Sequence, residues 1–144
     1  IIDDRVDVAL ACDAAGVHVG ASDIPVAVAR KLMGPDKLVG ATAKTVEAAV
    51  KAYEDGADYL GVGAIYPTTT KVVTILTKVS TLKDICEAVP IPAVAIGGLN
   101  AGNMDVLEGA GMSGMAVVSA IMKAEDPQKN ARELKEKIVA LMGK

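Results

Sequence analysis

The sequence predicts an α/β fold built on a parallel β-sheet covered by helices. Strand-like and helix-like segments alternate strictly, no hairpin signal joins two strands, and the strands are short continuous apolar runs rather than alternating ones. Two architectures meet those conditions, an open doubly wound sheet and a (βα)8 barrel. No Gly-x-Gly-x-x-Gly fingerprint follows a first strand, and glycine or another small residue closes most strands, so the barrel is the preferred reading.

Ile1-Ile2 reads as the end of a buried strand, handing over at Asp3-Asp4 to a helix marked by Val6, Val8, Ala9 and Leu10 and running through Ala14. Gly16–Val19 is the next strand, followed by Gly20-Ala21-Ser22-Asp23. Pro25 suits a helix first turn, with Asp23 or Ile24 just before it, and Gly34-Pro35 stops that helix after Val26, Val28 and Leu32. Leu38–Ala41 is a third strand, closed by Thr42-Ala43-Lys44. Thr45 caps a helix carrying Val46, Ala49, Val50 and Tyr53, and Gly56 ends it as a C′ residue.

Tyr59-Leu60-Gly61-Val62 reads as a doubly buried strand, with Gly61 and Gly63 removing side chains where another group must come close. Pro67 stops it. The loop Thr68-Thr69-Thr70-Lys71 then offers three hydroxyls and an ammonium, the parts of a phosphate grip, although a solvated threonine-rich loop would have the same composition. Val72–Lys78 is apolar enough to act as a lid. Ser80 opens a helix to about Val89, Pro92–Ile96 is a strand, and Gly97-Gly98-Leu99 leads to Asn100, the expected cap of a helix ending near Gly109. Gly114–Val118 is the last strand, followed by Ser119-Ala120. Asp126-Pro127 starts an amphipathic helix with Leu134, Ile138 and Leu141 on one face.

The 144 residues suffice for one domain with a real core, and 51% hydrophobic composition excludes disorder. A net charge of −3 argues against general nucleic-acid affinity, and no apolar run is long enough to span a bilayer. The two cysteines, Cys12 and Cys86, lie far apart on expected helices without metal-ligand spacing, which predicts reduced, buried thiols and a cytoplasmic protein. Six strand positions are legible, the first incomplete. A closed barrel needs eight, so the reading expects two βα units ahead of Ile1 in a larger protein.

In a barrel, every strand's C-terminal end points to one mouth. That mouth would hold Asp3, Asp4, Asp23, Thr42, Thr68 to Lys71, Gly97-Gly98 and Ser119. Asp4 and Asp23 are the hard oxygen donors that magnesium prefers, although Asp23 could instead cap the helix behind Pro25, and Asp4 could pair with Arg5. Gly97-Gly98 and the Val118-Ser119 turn offer backbone amides to an anion. His18, the one histidine, lies inside a strand between valines and reads as a neutral core residue with one satisfied nitrogen. No serine–histidine–acid arrangement is evident. The parts suit chemistry in which a phosphorylated leaving group is neutralised and departs.

Segments Ile1–Leu10, Gly16–Gly20, Asp58–Gly63 with Pro67–Lys71, Val94–Gly98 and Ala116–Ala120 resemble, in order and spacing, the thiamine-phosphate synthase family. The resemblance covers nearly the whole chain. It implies a (βα)8 barrel over residues 1–144 forming the C-terminal three-quarters of such a domain, and a magnesium (Mg2+) cofactor. It also implies transfer of hydroxymethylpyrimidine from its diphosphate to a thiazole phosphate, giving thiamine phosphate and pyrophosphate. By motif, Asp4 and Asp23 resemble the metal ligands. Lys71 and Thr42 resemble the catalytic pyrophosphate-binding pair, Asp3 lies beside the diphosphate, and Thr68, Thr70, Gly98, Val118 and Ser119 resemble the thiazole-phosphate site. Two residues depart from the family pattern, Asp3 where asparagine is usual and Ala21 where glutamine is usual. The resemblance also places a basic strand-two motif upstream of Ile1. A thiazole tautomerase-like relative and a silent barrel fragment with an assembly role are the alternatives, and the partners implied are the two small-molecule substrates, with a homo-oligomer or a complementing chain also open.

Overall fold

The computed structural model describes residues 1–68 and 75–143. Among these residues a parallel sheet has six strands in sequence order: β1 (Ile2–Asp3), β2 (Gly16–Val19), β3 (Leu38–Ala43), β4 (Tyr59–Val62), β5 (Ala93–Ile96) and β6 (Gly114–Ala116). Between them run α1 (Val6–Ala11), α2 (Val26–Met33), α3 (Val46–Glu54), α4 (Val79–Ala88) and a 3₁₀ turn at Met104–Leu107. After β6 come α5 (Ser119–Met122) and α6 (Pro127–Leu141). No described helix is long and apolar enough to cross a membrane.

Register sorts the strand residues into two faces. Val17 pairs with Val39, Ala41 with Leu60, Val62 with Ala95, and Leu60 with Ala93. All of these are buried. Ala41, Leu60, Val62, Ala93 and Ala95 pack with Leu82, Ile85, Met104, Leu107 and Leu134 in one aliphatic cluster, while Val17 and Val39 pack with Val6, Ala9, Ala29 and Met33 in a second. The opposite face carries Asp3, His18, Gly40, Thr42, Tyr59, Gly61, Val94 and Ile96, linked by the pairs Asp3–His18, His18–Gly40, Gly40–Tyr59 and Thr42–Gly61. This face is only partly covered: Leu38 is 46% exposed and Ile96 38%. The expectation of strands buried on both faces therefore holds for one face among the described residues. The other carries small and polar groups on the same short runs.

Several local expectations change. α1 stops at Ala11, Cys12 is its C-cap, and that thiol is exposed rather than buried, because the chain turns outward at Asp13 with φ of 51°. In α2 the buried residues are Ala29 and Met33, while Val28 and Leu32 face solvent. Asn100 does not cap an α-helix. Its Oδ1 accepts from the Gly102 N–H at 2.8 Å, an Asx-type turn that competes with helix, and only the 3₁₀ turn follows. α4 begins at Val79 behind Lys78, and β6 ends at Ala116, short of Val118. Residues 69–74, which include most of the hydroxyl-rich loop and the start of the expected lid, lie outside the described residues.

At the N-terminal edge of the sheet, Arg30 ties four segments together. Its guanidinium donates to the carbonyls of Gly56 (2.9 Å), Gly34 (2.8 Å) and Lys37 (2.7 Å), and to the Asp58 carboxylate. Asp58 Oδ2 also accepts from the Val39 N–H at 2.7 Å, and the Asp58 N–H donates to Val39 O at 2.8 Å. One planar fork thus satisfies the end of α2, the turn after α3 and the start of β4. Arg30→Ala leaves these acceptors without that donor and is expected to lower unfolding free energy by about 2–3 kcal/mol in urea denaturation. An unchanged midpoint and slope would contradict that role.

Candidate functional site

Parallel pairing places the C-terminal ends of all six strands along one edge. Asp4 directly follows β1 in the left-handed region, with φ of 65°, and its N–H donates to His18 O at 2.8 Å. Asp23 lies past the end of the adjacent β2. Its Oδ2 accepts from the Gly20 N–H at 2.7 Å, and the Asp23 N–H returns to Gly20 O at 3.1 Å. This closed loop excludes the alternative capping role, since Pro25 is the N-cap of α2 and no side chain caps it. Arg5 pairs with Asp7 at 2.6 Å, which holds the Asp7 carboxyl down at about 2, so the alternative Asp4–Arg5 pair is not made. Asp4 and Asp23 are two hard oxygen donors at neighbouring strand ends. No group of three histidine, cysteine or acidic side chains among the described residues could enclose a metal. Magnesium suits that donor set, because it typically takes one or two carboxylates and fills its shell with water and phosphate oxygens.

Thr42 lies on the concave face near the end of β3, and its Oγ1 is 3.0 Å from His18 Nε2. His18 Nδ1 is 3.1 Å from the Tyr59 hydroxyl. His18 is therefore half-buried with both ring nitrogens engaged, rather than a core residue with one satisfied nitrogen. Burial pushes the Tyr59 phenol above its usual range, with the Asp3 charge adding to the effect, so it stays protonated at neutral pH. The three side chains meet because glycines lie beneath them. A Cβ on Gly40 would fall 2.5 Å from His18 Nδ1 and inside the Tyr59 ring contact, and one on Gly61 would come 3.1 Å from the imidazole Cε1. Sequence reasoning missed His18 and Tyr59. The signal was there in the glycines of the two following strands, which in register make room for one ring.

The loops after β4 and β5 are locked together. Ile65 N–H donates to Ile96 O and Tyr66 N–H to Gly97 O, both at 3.0 Å. Gly98, with φ of 64°, has its α-carbon where a Cβ would meet Pro67 O at 2.6 Å. Asn103 Nδ2 donates to Gly98 O at 3.0 Å, and the Thr77 N–H donates to Ala64 O at 2.7 Å, bringing the chain back under this loop. Ile96 pairs with Ala116, and Gly98 and Val118 each follow that pair by two residues. Val118 and Ser119 are exposed at the start of α5. The structure thus gathers Asp3, Thr42, His18 and Tyr59 on one face and joins Gly98 to the Pro67 loop that leads to Thr68. Thr70 and Lys71 lie outside the described residues. A cavity of about 210 Å³ lies between the Asn100–Gly102 turn and α6, lined also by Asn130, Glu133 and Leu134, and none of the predicted site residues borders it.

Six parallel strands with their core-facing side under helices and a polar opposite face make this a TIM-barrel-like α/β protein. The family profile described as "Thiamine monophosphate synthase" matches residues 1–121, and the chain belongs to that family. It is 55% identical over 138 residues to thiamine-phosphate synthase 2 of Streptococcus pneumoniae, covering 96% of this chain and 66% of the relative. It is 51% identical over 142 residues to thiamine-phosphate synthase of Lacticaseibacillus paracasei, covering 99% of this chain and 67% of that one. Thiamine phosphate pyrophosphorylase from Pyrococcus furiosus superposes with a TM-score of 0.87 at 42% identity, covering 98% of this chain and 67% of that structure. The chain spans about two thirds of the length of the curated relatives it matches.

Gly40→Ala is expected to separate His18 from Tyr59 and to cost about 1–3 kcal/mol through overpacking. Thermal unfolding checks this: a melting curve identical to that of the parent chain would mean the ring does not sit on Gly40.

Proposed function

We propose that this chain carries the strand-end site of a thiamine-phosphate synthase acting in thiamine biosynthesis. In this reading, hydroxymethylpyrimidine diphosphate and hydroxyethylthiazole phosphate give thiamine phosphate and pyrophosphate. The bond between the pyrimidine methylene carbon and the diphosphate oxygen breaks, and its electron pair leaves with pyrophosphate. The resulting pyrimidine-methyl cation takes the lone pair of the thiazole nitrogen. Nothing is oxidised or reduced, so the protein's main task is to hold negative charge on the leaving group.

The observation that carries this reading is the placement of Asp4, Asp23 and Thr42 at the ends of three adjacent, parallel strands. Asp4 and Asp23 would hold magnesium, which when bound supplies positive charge opposite the diphosphate. Thr42 would donate a hydrogen bond from its hydroxyl to a diphosphate oxygen, and Lys71 would add an ammonium to the same group. Asp3, in register with His18 on β1, would lie beside the diphosphate. Thr68, Thr70, the Gly98 amide, Val118 and Ser119 would form the thiazole-phosphate end. We place the reaction in the cytoplasm, with residues 1–144 as part of a (βα)8 barrel whose remaining strands would cover the concave face. Another copy or a complementing chain is the alternative source of that cover.

Calorimetric titration of the chain with inorganic pyrophosphate tests the site. Binding is expected to require magnesium, and Asp23→Ala is expected to weaken it by about tenfold or more. Equal affinity with and without the metal would remove both carboxylates from the proposed site.

A further inference from the structure

We infer that Tyr59 is a positioning residue that acts through His18 to turn the Thr42 hydroxyl proton toward the bound diphosphate. The inference rests on the reading of Thr42 as a diphosphate contact.

The contacts form a line across three strands, from the Tyr59 hydroxyl to Nδ1 of His18 at 3.1 Å and from Nε2 to Thr42 Oγ1 at 3.0 Å. A neutral imidazole has one N–H and one bare nitrogen, so the two bonds must run in the same sense along the line. In one sense Tyr59 donates to Nδ1, Nε2–H donates to Thr42, and the Thr42 proton is left for an acceptor beyond the cluster. In the other, Thr42 spends its proton on Nε2, and the last proton lies on Tyr59. Diphosphate oxygens are acceptors only, so a hydroxyl that has spent its proton on His18 offers them nothing but repulsion. The outward sense is the one that fits an anion, and Tyr59 sets it, because its phenol can fill Nδ1 from below. Asp3 is the acceptor that could favour the reverse sense. It acts on Tyr59 through its charge, but among the described residues no hydrogen bond joins the two side chains. Gly40 and Gly61 keep the line in contact by removing the side chains that would part it. Each bond polarises the next, which strengthens the terminal donor.

His18 is the one histidine in the chain, so its imidazole nitrogens can be read directly by long-range ¹H–¹⁵N spectroscopy. The expected spectrum of the parent chain is the Nε2–H tautomer, with Nδ1 unprotonated. Tyr59→Phe should shift it toward a tautomer mixture and weaken magnesium pyrophosphate binding about fivefold, the worth of one neutral hydrogen bond. In a Thr42→Val background the same change should have no further effect on binding. If Tyr59→Phe fails to fold, His18→Gln, whose amide N–H stands in for Nε2–H, should bind better than His18→Ala. An Nδ1–H tautomer in the parent chain, a spectrum unmoved by Tyr59→Phe, equal binding by the two His18 variants, or an undiminished loss in the Thr42→Val background would each overturn the inference. If the parent chain shows the Nε2–H tautomer yet does not bind pyrophosphate, the functional reading fails, and with it the ligand assigned to Thr42.

Discussion

The structure depends on the in-register parallel pairing of its strands. Pairing Val17 with Val39, Ala41 with Leu60 and Val62 with Ala95 turns one set of alternate residues into the core. The same register carries Asp3, His18, Gly40 and Tyr59 across the other face in a single row. A slip of one residue on any strand would exchange the two sets, burying a histidine or a threonine and exposing valines. Core and site are therefore specified together. The Arg30 fork reinforces this at the far edge, where it joins α2, the turn after α3 and β4 through carbonyls and the Asp58 carboxylate.

Most of the architecture was legible because parallel sheets and their helices leave strong local marks. The strand starts at Gly16, Leu38 and Tyr59, the Thr45 cap and the Gly56 terminator could all be read from residue chemistry. Segments decided by side-chain competition could not. Asn100 looks like a helix cap, but its carboxamide closes a turn on Gly102 and Asn103 bonds Gly98, so the backbone takes a 3₁₀ turn instead. Asp23 looks like a cap for α2, but it folds back onto Gly20.

The candidate site was legible where a residue closes a strand and illegible where it depends on a neighbour. Asp4, Thr42 and Gly98 follow from position alone once all strands are parallel. His18 has no such cue, because a histidine between valines reads as core. Its role appears only when register sets Gly40 and Gly61 beside it and brings the Tyr59 hydroxyl and Thr42 to its two nitrogens. The same residues give the family likeness a physical content: acidic, hydroxyl and amide groups lie along one edge of a sheet that the Pyrococcus furiosus structure shares at a TM-score of 0.87.

The central claim is that the strand ends form one shared anion-binding edge. Backbone amide shifts recorded while magnesium pyrophosphate is added test it residue by residue. The account predicts shifts concentrated at Asp4, Gly20 to Asp23, Thr42 and Gly98, spread over four strands but along a single edge. Shifts confined to the cavity between the Asn100–Gly102 turn and α6, or scattered over the helical surface, would contradict it.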